Sequence, residues 1–305
     1  MRTKRAIGVD VGGTKILAGL MDPDGSVVAR ELRPTPVESQ NALLDGLDAA
    51  IDALLSDEVG AVGFGIPSTI DQRTGRAVSS VNIPLADLDV RGRMSRRFGL
   101  PVSIDNDGNA AAFAEWSLGA GQGTTDMVLL TLGTGIGGGL VLGGRLFRGW
   151  IGAGAELGHI VVEHDGPRCQ GSCTGRGHLE AVASGHAADK EARRILGPDA
   201  DARSLVEAAA GGHAAAAESL HELGRRLGSG IGSLVNIFNP ELVVVGGGFG
   251  AAGEVLLAPA REVVAREALP PARDLVRIVQ AELGPDAGMI GAGLLAFEEL
   301  RRNGS

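Results

Sequence analysis

Between Ala155 and Glu180 the chain reads AELGHIVVEHDGPRCQGSCTGRGHLE, which brings together Glu156, Glu180, three histidines and the only two cysteines, Cys169 and Cys173. Ionised carboxylates accept hydrogen bonds at both oxygens, so two glutamates suit a ligand rich in hydroxyls. Thiolates and imidazoles close together in sequence suit zinc, which takes sulfur and nitrogen donors tetrahedrally. The plain alternative is a pair of free thiols in a glycine loop. A segment this polar makes poor core, so it reads as one site with two jobs.

A second group of polar residues, Asp105, Asn106 and Asp107, follows the apolar run Val102-Ser103-Ile104. Strand ends are where sites commonly gather, and a carboxylate there could serve as a base. Either aspartate could instead cap the helix expected over residues 108–117, the role read here for Asp105. Asn106 carries a donor and an acceptor on one amide. Asn82, two residues before Pro84, is either a turn residue or a ligand.

These residues need a scaffold, and the glycines outline it. The chain has 49 glycines, about twice the usual share of roughly 7%, and they bunch at the ends of apolar runs. Ala6–Val11 reads as a strand, Gly12-Gly13-Thr14-Lys15 as a turn, and Ile16–Met21 as a returning strand. A hairpin here excludes a P-loop or dinucleotide fingerprint, both of which need a helix directly after the glycines. The pattern recurs as Met127–Leu132, the turn Gly133-Thr134-Gly135, Ile136–Leu142 and Arg145–Phe147. Two copies imply a duplicated α/β domain, each turn offering backbone N–H groups to phosphates from one side of a cleft.

Between and after the copies, Leu43, Leu44, Leu47, Ile51, Leu54 and Leu55 have helical spacing, as do Leu220, Leu223, Leu227, Ile231, Leu234 and Phe238. Strands are expected at 61–66, 102–104, 243–245 and 275–280, with helices over 108–117 and 254–267 and from 287. The 108–117 helix is expected to run between the lobes. Strands mixed with helices and hairpins specify α/β with a mixed sheet in each lobe. The expected boundaries are 1–116 plus 288–305 for a small lobe and 117–287 for a large one.

Bulk properties narrow the classes. The 305 residues are long enough for two cores, with 44% hydrophobic and 21% charged residues. A net charge of −9 argues against nucleic acid. Apolar runs are short and broken by glycine, so no membrane span is expected. The basic N-terminus has no apolar run behind it, and two cysteines make no disulfide framework, so a cytoplasmic location is expected.

IGVDVGGTK, DNDGNAA, LTLGTGIGGG, AELGHI with the Cys/His cluster, and VVVGGG stand in the order, and over nearly the whole chain, of the ROK family of sugar kinases, which they resemble. Within that family the chain is most similar to bacterial ATP-dependent glucokinases. It departs from the signature C-x-C-G-x-x-G-C-x-E: the gap between the first two cysteines is longer, Thr174 stands at a glycine, and His178 replaces the last cysteine.

The resemblance implies an actin-like, ribonuclease-H-like fold and ATP-dependent phosphorylation of a hexose at its 6-hydroxyl, glucose foremost. N-acetylmannosamine, N-acetylglucosamine, mannose and fructose are the alternatives of the same chemistry, and a non-catalytic sugar sensor is the alternative of another class. Repressors of the family carry a DNA-binding domain in front, and with the first motif so early in the sequence no such domain is expected. It further implies Asp107 as general base, and Asn82, Asn106, Glu156, His159 and Glu180 as sugar ligands. Asp10, Gly12, Gly13, Thr14, Thr134 and Gly135 would meet Mg²⁺ and the phosphates. Lys15 is equally a phosphate partner or a solvated turn residue. Gly246 and Gly247 would border the adenosine. His159, Cys169, Cys173 and His178 would hold a structural Zn²⁺, with His164 competing for the fourth place. A homo-oligomer, dimer or tetramer, is also implied.

Overall fold

The structure, a computed structural model, describes residues 4–80 and 82–303. The chain divides into two compact units, one of residues 1–119, 146–155 and 285–305, the other of residues 120–145 and 156–284.

The first unit opens with an antiparallel meander, β1 (Arg5–Val11), β2 (Lys15–Met21) and β3 (Val27–Pro34). Helix α1 (Gln40–Asp52) follows, started by Ser39, whose Oγ accepts from the Ala42 N–H at 3.1 Å. Its Leu43, Leu47 and Ile51 are fully buried beside Ile7, Val9 and Phe64 of the sheet. Strand β4 (Val59–Ile66) is buried along its whole length, as a central parallel strand covered on both faces must be. A small antiparallel sheet, β5 (Ser68–Asp71), β6 (Arg76–Ser80) and β7 (Ala86–Asp89), precedes α2 (Val90–Phe98), β8 (Val102–Asn106) and α3 (Asp107–Leu118). The main sheet has the order β3-β2-β1-β4-β8.

The second unit repeats the plan. β9 (Met127–Leu132), β10 (Ile136–Leu142) and β11 (Arg145–Phe147) form the meander. Helices α4 (Leu179–Ala183), α5 (Gly185–Leu196), α6 (Ala202–Ala210) and α7 (Ala214–Phe238) come next, then β12 (Leu242–Gly246), α8 (Glu254–Glu267), α9 (Ala272–Leu275) and β13 (Arg277–Gln280). The sheet order is β11-β10-β9-β12-β13, with β12 parallel to both neighbours. The duplication expected from the glycine turns is therefore present in strand order and in pairing sense.

The chain closes with α10 (Ala287–Asn303), which returns to the first unit. Glycines let it lie almost on the backbone of its neighbours. A Cβ at Gly291 would fall 1.7 Å from the Ala110 carbonyl of α3, and one at Gly8 of β1 would fall 2.1 Å from the Met289 carbonyl.

Two sequence expectations need correction. Helix α3, expected to run between the lobes, belongs wholly to the first unit, where Ala110 and Phe113 pack with Leu295 of α10. Residues 146–155, expected in the large lobe, also belong to the first unit. Arg148 pairs there with Asp105, and the Gln72 N–H donates to the Ile151 carbonyl at 3.2 Å. The new contacts are polar ones at a distance in sequence, which periodicity does not report.

Candidate active site

In the first unit the register of three parallel strands lines up Asp10 of β1, Gly65 of β4 and Asp105 of β8. Asp107 stands one step past β8, and a Cβ on Gly65 would lie 3.5 Å from its Cα. Both carboxylates singled out in the sequence thus sit at strand ends of one sheet, with β4 between their strands. Burial pushes the Asp10 carboxyl up to about 7, the charge of Asp107 adds to that, and Lys15 partly opposes it. The start of α10 closes the other side, since a Cβ on Gly288 would lie 2.8 Å from the Asp10 carboxyl carbon.

Asp105 is not the helix cap expected of it. Asn106 caps α3, its Oδ1 accepting from the N–H groups of Gly108 and Asn109 at 2.9 and 3.3 Å. The amide NH2 of Asn106 is then its remaining group for a ligand. Asp105 is 1% exposed and accepts from Arg148 Nε at 2.6 Å, Asn109 Nδ2 at 2.9 Å and the Asn106 N–H at 2.9 Å. A buried carboxylate with this many donors is a bracket for the segment that carries Asn106 and Asp107. No sequence signal marks Arg148 for that role.

The first glycine turn is closed by the Gly12 N–H donating to the Lys15 carbonyl at 2.8 Å, and Thr35 Oγ1 donates to the Gly12 carbonyl at 2.7 Å. Thr14 and Lys15 are exposed. A Cβ on Gly13 would lie 3.4 Å from the Asn82 carbonyl, so the exposed Asn82 borders this turn.

In the second unit the Cys/His segment forms a compact excursion held by paired backbone. Val161 bridges His178, Arg168 bridges Arg176, and the Cys169 N–H donates to the Gly175 carbonyl at 3.0 Å. His159 ends a short 3₁₀ turn, Leu157–His159, seated so tightly that a Cβ on Gly158 would fall 2.1 Å from the Ile136 carbonyl of β10. The Nδ1 atoms of His159 and His178 are 3.1 Å apart. Cys169 Sγ lies 3.7 Å from the first, and Cys173 Sγ lies 3.6 Å from the second.

All four donor atoms lie within 4.8 Å of one another. A tetrahedral zinc with ordinary Zn–N and Zn–S lengths has edges of about 3.3–3.8 Å, which these separations approach. The donor set fits the metal despite the altered cysteine spacing. His164 does not compete, because its side chain is 93% exposed and pairs with Asp165 at 3.3 Å. With Nδ1 of His159 turned into the cluster, its Nε2 is on the opposite edge of the ring.

Glu180 joins this cluster to the second glycine turn. Its Oε2 accepts from the Ile136 N–H at 2.9 Å, and its Oε1 accepts from Cys169 Sγ at 3.5 Å. A Cβ on Gly135 would fall 2.1 Å from Oε2, so this glycine makes room for Glu180. Glu156 starts the 3₁₀ turn, where crowding by protein raises its carboxyl pKa, His159 opposes, and Glu180 raises it further. Burial also pushes the Cys169 thiol up to about 12, helped by Cys173 and Glu180, while the Gln170 backbone opposes it.

Thr134 borders a cavity of about 540 Å³ within the second unit, together with Gly133, Asp189, Asp201, Gly248 and Phe249. Such a volume suits a small molecule. Gly246 and Gly247, expected beside the adenosine, directly precede the cavity-lining Gly248 and Phe249; Gly247 has φ +85, and a Cβ there would strike the Leu132 carbonyl at 2.4 Å. The following residues reach the cavity. Sequence reasoning misses Asp189 and Asp201, although Asp201 with Ser204 forms a capping box legible in the sequence.

Comparison with known proteins gives a consistent picture. A profile described as the ROK family matches residues 6–299. Glucokinase of Streptomyces coelicolor is 35% identical, covering 96% of this chain and 97% of its own. Glucokinase of Thermotoga maritima is 36% identical, covering 97% and 98%. The crystal structure of a ROK family glucokinase from Streptomyces griseus, in complex with glucose and AMPPNP, superposes with a TM-score of 0.85 at 35% identity over 96% of this chain and 99% of that one. The actin-like ATPase fold follows from that likeness. By motif, strand order and full-length similarity together, the chain belongs to the ROK family.

Proposed function

We propose that the protein is an ATP-dependent hexose kinase that transfers the γ-phosphoryl group to the 6-hydroxyl of glucose. The observation that carries this reading is the placement of Asp107, at the end of β8, close enough for its charge to act on Asp10 at the end of β1. The first is set to accept a hydroxyl proton, and the second is destabilised as a free carboxylate and suited to a cation. Phosphoryl transfer needs positioning and charge neutralisation more than covalent help.

In this reading Asp107 takes the proton as the sugar oxygen attacks. Asn82, Asn106, Glu156, His159 through Nε2, and Glu180 hold the other hydroxyls. Asp10 would hold the Mg²⁺ that accompanies ATP, directly or through water. Gly12, Gly13, Thr14, Lys15, Thr134 and Gly135 would contact phosphate. The nucleoside belongs in the cavity beside Thr134 and Phe249. His159, Cys169, Cys173 and His178 would hold zinc, which supplies a cross-link that couples ordering of the loop to folding.

Among the described residues no helix is long and apolar enough to cross a membrane. A cytoplasmic enzyme that self-associates as a dimer or tetramer completes the reading. Support for association comes from the exposed Ile237, Leu269 and Leu275 near the end of α7, and light scattering tests it.

The test of function is an ATP and Mg²⁺ assay across glucose, mannose, fructose, N-acetylglucosamine and N-acetylmannosamine. Preference for glucose is expected. Preference for an N-acetylated sugar would replace the substrate but keep the chemistry, and turnover of none would overturn the kinase reading.

A further inference from the structure

The longer gap between Cys169 and Cys173 contains Gln170, and its side chain is engaged. Gln170 Nε2 donates to the Thr134 carbonyl at 3.0 Å and to Ser184 Oγ at 3.1 Å, which uses both hydrogens of the amide. Its own carbonyl accepts from the Cys173 N–H at 3.2 Å, so its backbone is set by the same turn that carries the cysteines. Ser184 in turn caps α5 through the Ala187 N–H. On the other side of Gly135, Glu180 takes the Ile136 N–H. The second glycine turn is therefore gripped from both sides by the Cys/His loop and the helix that follows it.

We infer that Gln170 is a positioning residue for the phosphoryl donor, through which the Cys/His loop sets the phosphate-binding turn. The physical step is short. The Thr134 carbonyl and the Gly135 N–H belong to one planar trans peptide, so fixing the carbonyl toward Gln170 fixes the N–H in the opposite direction. A donor held this way meets an anion without first being reordered, which is how preorganised N–H groups gain their effect. The His186 N–H on the same carbonyl, at 3.2 Å, and the Gly185 N–H on the Gly133 carbonyl, at 2.9 Å, leave Gln170 as the contact to this turn made from within the cysteine gap. The loop then serves the nucleotide as well as the sugar.

This inference rests on the reading that the Gly133–Gly135 turn binds phosphate, and the test separates the two. Full-length protein, Gln170→Leu and Gln170→Glu would be titrated calorimetrically with a non-hydrolysable ATP analogue in Mg²⁺, and separately with glucose. Zinc per chain would be measured by emission spectroscopy, and deuterium exchange followed in the peptide spanning residues 133–136. A lost side-chain hydrogen bond predicts a roughly three- to tenfold weaker nucleotide in Gln170→Leu. Gln170→Glu should lose more, because a carboxylate oxygen then faces the Thr134 carbonyl. Exchange in the turn should quicken, while glucose affinity and zinc content stay at wild-type values. Unchanged nucleotide affinity in both variants would overturn the role of Gln170. Parallel loss of sugar and zinc would also overturn it, by showing general collapse of the loop. A wild-type protein that fails to bind the analogue would instead overturn the phosphate reading beneath it.

Discussion

The two sheets share strand order and pairing sense, yet their glycine turns are supported in different ways. The turn after β1 is closed by the Gly12 N–H on the Lys15 carbonyl and by Thr35, the residue just past β3. The turn after β9 has its own closing bond, the Gly133 N–H on the Gly135 carbonyl, but is also held from outside by Gln170, Glu180 and the start of α5. The first unit devotes its special residues to acidity: Asp10 and Asp107 share one corner, bracketed by Asp105 and Arg148. The second devotes them to a cross-linkable loop. A duplicated backbone therefore carries two chemistries, and the difference lies in what packs behind each turn.

The most severe way to break the comparison is at its acidic corner. Asp107→Asn should lower turnover by about a hundred- to ten-thousandfold, the usual worth of a general base, with glucose binding by calorimetry largely kept. Normal turnover in this variant would sink the assignment. Arg148→Met should leave Asp105 buried without its charge partner and cost about 3 kcal/mol in denaturant unfolding. Adding Asp105→Asn should recover part of that loss. Additive losses would show that the pair is not the bracket.

On the other side, Cys173→Ser or chelation should remove zinc and weaken glucose by roughly tenfold or more, because His159 and Glu180 lose their frame. Metal analysis that finds no zinc in fresh wild-type protein would end that claim. Smaller and sharper is a pair of glycine substitutions. Gly135→Ala should displace the Glu180 carboxylate and weaken glucose with little loss of fold, whereas Gly13→Ala meets only Asn82 at ordinary contact distance and should leave sugar affinity close to wild type.

The mildest prediction concerns pH. The folded pKa of Asp10 is raised to about 7, so its ionisation burdens the native state: stability from this group is whole below about pH 4 and is lost as pH rises through about 7. In protein free of cations, Asp10→Asn should therefore melt higher than wild type at pH 8 and equally at pH 4. A gain at both pH values would assign the effect to something other than charge.

Much of the fold and of the site is legible in the residues themselves. Ala6–Val11 and Met127–Leu132 are apolar runs ended by glycine, and such local patterns survive folding because hairpins are made by neighbours in sequence. The Cys/His cluster is legible for the same reason, with His178 at the expected place. Asp105 escapes a local reading because a helix cap is a local role, whereas its actual partner Arg148 lies on a distant segment. The membership of residues 146–155 in the first unit is hidden for the same reason.

Residue type and short spacing suffice for the duplicated α/β plan, for the acidic pair at the ends of β1 and β8, and for a set of donors suited to zinc. It takes the folded chain to establish that Asn106 rather than Asp105 caps α3, that Gly135 yields space to Glu180, and that Gln170 grips Thr134. These depend on which side chains meet across long stretches of chain, and that is fixed by packing and by the need of every buried polar group for a partner.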